Sequence, residues 1–287
     1  MLWSSRLARR AGDPYISGMS RATSPAKLDQ ADLPDKTAAG PPYRVPAGTR
    51  VYAVGDIHGR ADLLAKIRNK IAKDGRKRAV KKAGIERLVV VYLGDYVDRG
   101  PDSFEVIETL LHDPLEGFEE IYLKGNHEDY MLKFLAGDGD GLGWLFNGGE
   151  TTIASYGVDP GDWTELEPDA IKSLRARLLE AMPKAHLDFL RDLDMHHSEG
   201  GYLFVHAGVR PDVPLERQSD EDLMWIREDF LDSNADHQAR VVHGHTITWT
   251  PELLPNRIGI DTGAFASGVL TALAAQGEDV RILTAER

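Results

Sequence analysis

GDYVDRGP, residues 94–101, follows the apolar run LVVVYL, residues 88–93. The run is long enough for one buried strand. Gly94 ends it, and Gly100-Pro101 turns the chain toward a helix over residues 103–111. Asp95, Asp98 and Arg99 therefore stand at the carboxyl end of a buried strand, where open α/β sheets place ligands. A buried strand has no structural use for two carboxylates and a guanidinium at its tip. Their chemistry suggests Asp95 for holding metal, Asp98 for orienting a catalytic group and Arg99 for holding phosphate.

The same unit recurs on either side. Residues 51–54 read as a short strand ending in GDIHGR, residues 55–60, and a helix over 61–74 puts Leu64, Ile67 and Ile71 on one face. Residues 118–123 read as a third strand ending in GNHE, residues 125–128, with a helix over 129–135. Strand, polar loop and helix, repeated, argue a parallel α/β sheet. WLFNGG, residues 144–149, reads as a turn, and residues 168–191 as a helical region broken at Pro183.

The second half changes character. A strand at 202–205 ends in HAGV, residues 206–209, and a short amphipathic helix covers 220–231. Short strands at 239–242, 257–260, 268–274 and 280–283 predict a mainly antiparallel second sheet, and the first of them ends in HGHT, residues 243–246. No repeat or linker divides this part, so residues 46–287 are expected to form one α/β domain with two sheets.

Residues 1–45 carry Ser, Pro, Gly, Ala and Asp without sustained periodicity, and are expected to be a disordered N-terminal extension. Arg6, Arg9 and Arg10, with no acid nearby, leave a targeting peptide as an alternative reading, and Met19 is a second candidate initiator. The basic run Arg76, Lys77, Arg78, Lys81, Lys82 reads as a solvated helix end or loop.

Composition narrows the function. The chain has 287 residues, 42% hydrophobic and 28% charged, which fits a globular protein with a sizeable core. Its 34 basic and 46 acidic residues leave a net charge of −12, which argues against stable nucleic-acid binding. With no cysteine, disulfides, zinc–thiolate sites and a cysteine-nucleophile mechanism are excluded. No apolar run approaches the roughly 20 residues of a membrane span, and a cytoplasmic location is expected.

Five polar loops thus follow five expected strands: GDIHGR, GDYVDRGP, GNHE, HAGV and HGHT. Each alone is weak; in series at strand ends they define a metal site. Aspartate, histidine and asparagine without thiolate suit manganese, iron or zinc. Six such ligands are too many for one ion with an open position and suit two ions sharing a bridge, for which Asp95, on what is expected to be the middle strand, is the natural candidate.

These motifs, with WLFNGG, the WIRE of residues 225–228 and the IDTGA of residues 260–264, resemble the calcineurin-like metallophosphoesterases. Among them the pattern is most similar to the phosphoprotein phosphatase group of bacterial and phage-lambda type. The resemblance covers residues 50–284 and implies a two-sheet β-sandwich flanked by helices, with the site at the strand ends. It implies two divalent metal ions, Mn²⁺ in the first place and Fe or Zn as alternatives. Asp56 and His58 would bind the first, Asp95 would bridge, and Asn126, His206 and His245 would bind the second. His127 would be the proton donor, Asp98 its orienter, and Arg99 and Arg227 the phosphate clamp. The superfamily often carries a further histidine where this chain has Ile247, which matches the protein phosphatase group.

The implied substrate is a phosphoprotein or phosphopeptide, with a serine/threonine phosphatase activity. Nucleotide polyphosphates are the alternative, through a symmetrical diadenosine tetraphosphate hydrolase. A non-catalytic scaffold is a third reading, disfavoured because no ligand is lost. For single residues, His243 reads as packed on a neighbour rather than as a support behind the metal ligands, Trp225 as core rather than substrate-stacking, and Asp261 as either a turn residue or a support for a ligating histidine. His196 and His197 are assigned nothing.

Overall fold

The computed structural model describes residues 43–77, 80, 82–138, 141–162 and 167–287. The extension expected over residues 1–45 lies almost wholly outside the described residues, as do Arg78 and Lys81 of the basic run. Its last three residues are described; Tyr43 and Val45 pack against the core while the Arg44 side chain is exposed. Val45 is buried, its N–H donates to Gly277 O at 2.9 Å, and the Gly201 N–H donates to Arg44 O at 2.9 Å.

The expected βα units are present as β1 (Thr49–Val54), α1 (Ala61–Gly75), β2 (Arg87–Tyr92), α2 (Ser103–His112), β3 (Glu119–Tyr122) and α3 (Asn126–Ala136). β1, β2 and β3 pair in parallel, Val51 opposite Val89 and Val91 opposite Ile121. After α3 come a helical turn (Gly141–Trp144), a wider turn (Leu145–Gly149), α4 (Glu150–Ser155), α5 (Pro168–Ala181) and α6 (Lys184–Arg191). The second half contributes β4 (His196–Glu199), β5 (Tyr202–Val205), α7 (Asp220–Trp225), α8 (Glu228–Leu231), β6 (Arg240–His243), β7 (Glu252–Leu253), β8 (Arg257–Gly259), β9 (Val269–Gln276) and β10 (Asp279–Glu286).

Two five-stranded mixed sheets result, in the orders β10-β9-β1-β2-β3 and β4-β5-β6-β8-β7. Two expectations are corrected here. β9 and β10 join the first sheet antiparallel beside β1, so β1 and not β2 is its central strand. β5, β6 and β8 pair in parallel, and the second sheet is antiparallel only at its edges, β4 and β7. Strand spacing shows that strands exist; which sheet receives them is set by contacts far apart in sequence.

The period of two along β1 and β2 splits the core. Tyr52, Val54, Val90 and Tyr92 face the helices, packed with Leu64, Ile67, Ile71 and Ile107. Val51, Ala53, Val89 and Val91 face the second sheet, packed with Tyr202, Phe204, Val242 and Ile258. A sheet buried on both faces requires apolar side chains in both alternating sets, which is why LVVVYL lacks a polar position. The carboxyl ends of β1, β2, β3, β5 and β6 carry the five polar loops. Among the described residues no helix is long and apolar enough to cross a membrane.

Candidate active site

All ten residues singled out as ligands or catalytic groups come together. Asp95 lies at the centre. Its Oδ2 is 3.3 Å from His58 Nε2 and its Oδ1 is 3.4 Å from His206 Nε2. Asn126 Oδ1 lies 2.9 Å from both His206 Nε2 and His245 Nδ1. Asp56 Oδ2 accepts the His245 N–H at 3.0 Å. Asp98 Oδ2 is 2.7 Å from His127 Nδ1. Arg99 and Arg227 line one cleft with Asp95, Asn126, His127 and His245, together with Tyr130, Asn147 and Trp225.

The backbone is bent to achieve this. Left-handed φ is uncommon for residues with a Cβ, yet His58 (46°), Asp95 (52°), Asp98 (73°), Arg99 (67°) and His245 (62°) all adopt it. Among the described residues only two other non-glycines do so, Asp212 and Gln238. Such conformations persist where surroundings over-determine them, and they cluster at functional sites. Gly244 shows how tight the packing is: a Cβ there would lie 2.0 Å from Asp56 Oδ1.

Sequence reasoning missed what holds these loops. Glu128 is fully buried and accepts the N–H groups of Asp95 (2.9 Å), Tyr96 (2.8 Å), Val97 (3.3 Å) and Gly125 (2.9 Å). It ties the GDYVD loop to the start of α3. The available signal was its place at the third position of a helix, where a glutamate reaches back to the first free amides. That helix starts at Asn126, earlier than expected, so Asn126 and His127 sit in its first turn. The helix expected over 220–231 is also two helices, α7 and α8, with Ile226 and Arg227 non-helical between them.

Three single-residue expectations resolve. Trp225 is half-buried and lines the cleft rather than the core, edge-on to Tyr130 at 4.8 Å. His243 is packed edge-on to Phe230 at 5.1 Å and is not among the residues lining this cleft. Asp261 serves the turn, accepting the Gly263 N–H at 2.8 Å, and also lies beside Asp56.

The electrostatics fit divalent cations. Asp56, Asp95 and Asp261 are each only 2% exposed, and Asp56 Oδ1 and His245 Nε2 have no hydrogen-bond partner. Burial, reinforced by Asp261 and Asp95, pushes Asp56 well above the usual carboxylate range. Burial likewise raises Asp261 to about 6. Burial also opposes the charge on Asp95, but His206, His127, His58 and His245 around it outweigh this and hold its pKa low. His58, His206 and His245 are pushed down chiefly by burial, which favours the neutral, ligating imidazole. Two clusters bring ligating atoms within 4.8 Å of one another: His58, Asp95 and His127; and Asp95, His206 and His245. A buried carboxylate group with orphaned oxygens and neutral imidazoles is short of positive charge, and metal ions supply it.

Mixed two-sheet architecture with an Asp/His/Asn cluster at the strand ends defines a metallophosphoesterase. The model of the calcineurin-like phosphoesterases matches residues 49–261, and the chain belongs to that family. Among its relatives is the bis(5'-nucleosyl)-tetraphosphatase PrpE [asymmetrical] of Anoxybacillus flavithermus, 26% identical over 245 residues, covering 77% of this chain and 88% of the relative. The Bacillus cereus protein of the same name is 27% identical over 234 residues, with the same coverage of 77% and 88%. A crystal structure of a candidate diadenosine tetraphosphatase superposes with a TM-score of 0.53 at 21% identity, over 82% of this chain and 93% of the other. The cold-active protein tyrosine phosphatase of a Shewanella species gives 0.50 at 16%, over 89% and 87%. At those identities the structural likeness speaks to fold alone.

Proposed function

We propose that this metallophosphoesterase is a phosphomonoesterase acting on phosphoserine and phosphothreonine in proteins. The observation that carries the reading is the His127–Asp98 pair, 2.7 Å apart, facing a cleft that also holds Arg99 and Arg227. A serine alkoxide is a poor leaving group and needs a proton as its bond to phosphorus breaks. Asp98 accepts a hydrogen bond from the Nδ1–H of His127, which leaves Nε2 facing the cleft. Burial opposes charge on this ring, but Asp95 and the bond to Asp98 outweigh it and raise its pKa above the usual imidazole value, which favours the proton-donating form. Arg99 and Arg227 match phosphate oxygens with planar forks. Water attacks phosphorus and its protons leave with the phosphate formed, the P–O bond to the serine oxygen breaks, and that oxygen takes the proton from His127 Nε2.

Asp56 and His58 would hold one divalent ion, Asn126, His206 and His245 a second, and Asp95 both, with Mn²⁺ favoured by the oxygen and imidazole donors. Bound cations supply Lewis acidity toward phosphate oxygens and acidify water. A cytoplasmic location is proposed along with this reading.

A second reading, hydrolysis of dinucleoside tetraphosphates, is favoured by the names of the relatives. Trp225 and Tyr130, aromatic faces in the same cleft, would suit a nucleobase. Steady-state rates in Mn²⁺ on a phosphoserine peptide and on a bis(5'-nucleosyl) tetraphosphate separate the two. The first reading expects a higher kcat/KM on the peptide; a clear preference for the tetraphosphate transfers the conclusion to the second.

A further inference from the structure

The segment after α3 touches the site through a motif to which sequence reasoning gave no task. Trp144, the first residue of WLFNGG, is 1% exposed and donates its indole Nε1–H to Asp98 Oδ2 at 3.0 Å. That oxygen is the one bonded to His127 Nδ1. Thr152, on α4 three residues beyond the motif, is fully buried and donates its hydroxyl to Asp98 Oδ1 at 2.6 Å. Thr152 Oγ1 accepts the Asp98 N–H in turn at 2.9 Å, and Ser103 Oγ lies 3.0 Å from Thr152 Oγ1. Both oxygens of Asp98 are therefore engaged before any substrate arrives. Between Trp144 and Thr152, Gly148 O accepts the Arg99 N–H at 3.3 Å. Gly148 has φ of +101°, and a Cβ there would lie 2.7 Å from Arg99 N. One short piece of chain thus seats both Asp98 and the neighbouring Arg99.

We propose that Trp144 and Thr152 are positioning residues for proton transfer, clamping the Asp98 carboxylate so that it holds the His127 ring in one orientation. A carboxylate with one anchored oxygen can rotate about its Cβ–Cγ bond and carry the imidazole with it. Anchoring each oxygen from a different element, the turn at Trp144 and helix α4 at Thr152, removes that freedom. Neither residue lines the cleft, so neither has a contact with phosphate to lose. The Asp98 carboxylate meets His127, Trp144 and Thr152, so the two clamping groups come from outside the cleft. The inference rests on the reading of His127 as proton donor.

The test uses the full chain with Mg²⁺, which is diamagnetic, and the variants Trp144→Phe, Thr152→Val and Thr152→Ser, with His127→Asn as reference. Two readouts are taken. The first is kcat on a phosphoserine peptide against kcat on p-nitrophenyl phosphate, whose leaving group departs without a proton. Trp144→Phe and Thr152→Val should each lose about tenfold more on the peptide than on the aryl ester, the factor expected for one buried hydrogen bond, with KM little moved. Thr152→Ser, which keeps the hydroxyl, should restore the ratio. The second readout is the proton NMR signal of His127 Nδ1–H, identified by its loss in His127→Asn. It should broaden through faster solvent exchange in Trp144→Phe and Thr152→Val and stay sharp in Thr152→Ser. If that signal is unchanged in Trp144→Phe, which keeps the core filled, the clamp is refuted whatever the rates do. If His127→Asn shows leaving-group selectivity and the clamp variants do not, the clamp is likewise refuted while the role of His127 stands. If His127→Asn shows none, the functional reading falls, and the exchange of the Nδ1 proton still decides the clamp.

Discussion

Arg227 is the residue whose removal most cleanly separates binding from folding. It sits in the non-helical step between α7 and α8, half-buried, with Nη1 donating to Thr246 Oγ1 at 3.0 Å. On the proposed reading the rest of its fork meets phosphate. A hydrogen bond to a charged group contributes about 1.5–3 kcal/mol, and a two-point fork is worth somewhat more than one bond but less than two independent ones. Arg227→Ala should therefore cost about 2–3 kcal/mol of phosphate affinity, roughly 30- to 150-fold. Loss of the bond to the neutral Thr246 hydroxyl, at a part-exposed site, costs less, about 0.5–1.5 kcal/mol. For a chain of this size that corresponds to a Tm lower by only a few degrees. Arg227→Lys keeps the charge but not the planar fork and should fall between. The assay is competitive inhibition by inorganic phosphate, with KM for a phosphopeptide, beside thermal unfolding of the same preparations. An unchanged inhibition constant with a Tm loss of ten degrees or more would show Arg227 to be a structural tie between α7 and the HGHT loop.

Other outcomes follow from the same geometry. His127→Asn should slow a phosphoserine peptide by about 10²–10⁴-fold and p-nitrophenyl phosphate far less; equal losses on both, with chemistry rate-limiting, would remove His127 as the acid. Complete chelation should abolish turnover and Mn²⁺ restore it, and saturating Mn²⁺ should raise Tm, by about 2.7 kcal/mol of added stability at a hundredfold excess over Kd. That gain should shrink as pH falls from about 7.5 to 5.5: burial and neighbouring carboxylates raise Asp56 and bring Asp261 to about 6, so protons bind the folded carboxylates at higher pH than the unfolded ones and displace the metal. A Tm gain independent of pH over this range would place the metal on other ligands. Deleting residues 1–42 should leave cooperative unfolding and kcat intact, whereas removing Val45 as well should lower Tm, because Val45 is buried in the core between the sheets; loss of cooperative unfolding in the shorter deletion would contradict this.

Most of the candidate site residues were legible because they lie in polar loops where a strand stops; Arg227, between α7 and α8, was singled out through the family resemblance. Asp56, Asp95 and His206 follow apolar runs directly, so their position at a sheet edge needs only local pattern. The metal-capable residue types at five such ends then select one chemistry. Residues that act through others were harder to see. Glu128 was read only as the last residue of the GNHE loop, yet it is fully buried and accepts four amides from two loops. Trp225 was expected in the core because large aromatics usually are; it lines the cleft because the helix breaks after it.

The chain's own pattern determined the three βα units, the two-sided burial of β2, the candidate ligand set and the absence of thiolate chemistry, because these depend on residue type and short periodicity. Tertiary structure alone decided that β9 and β10 complete the first sheet beside β1, that β5, β6 and β8 run parallel, and that Trp144 and Thr152 grip Asp98. Strand pairing and the last shell of hydrogen bonds join residues tens to hundreds of positions apart. Their partners are chosen by which faces remain to be buried and which polar atoms remain unpaired once the core has formed, and no local window of sequence contains that information.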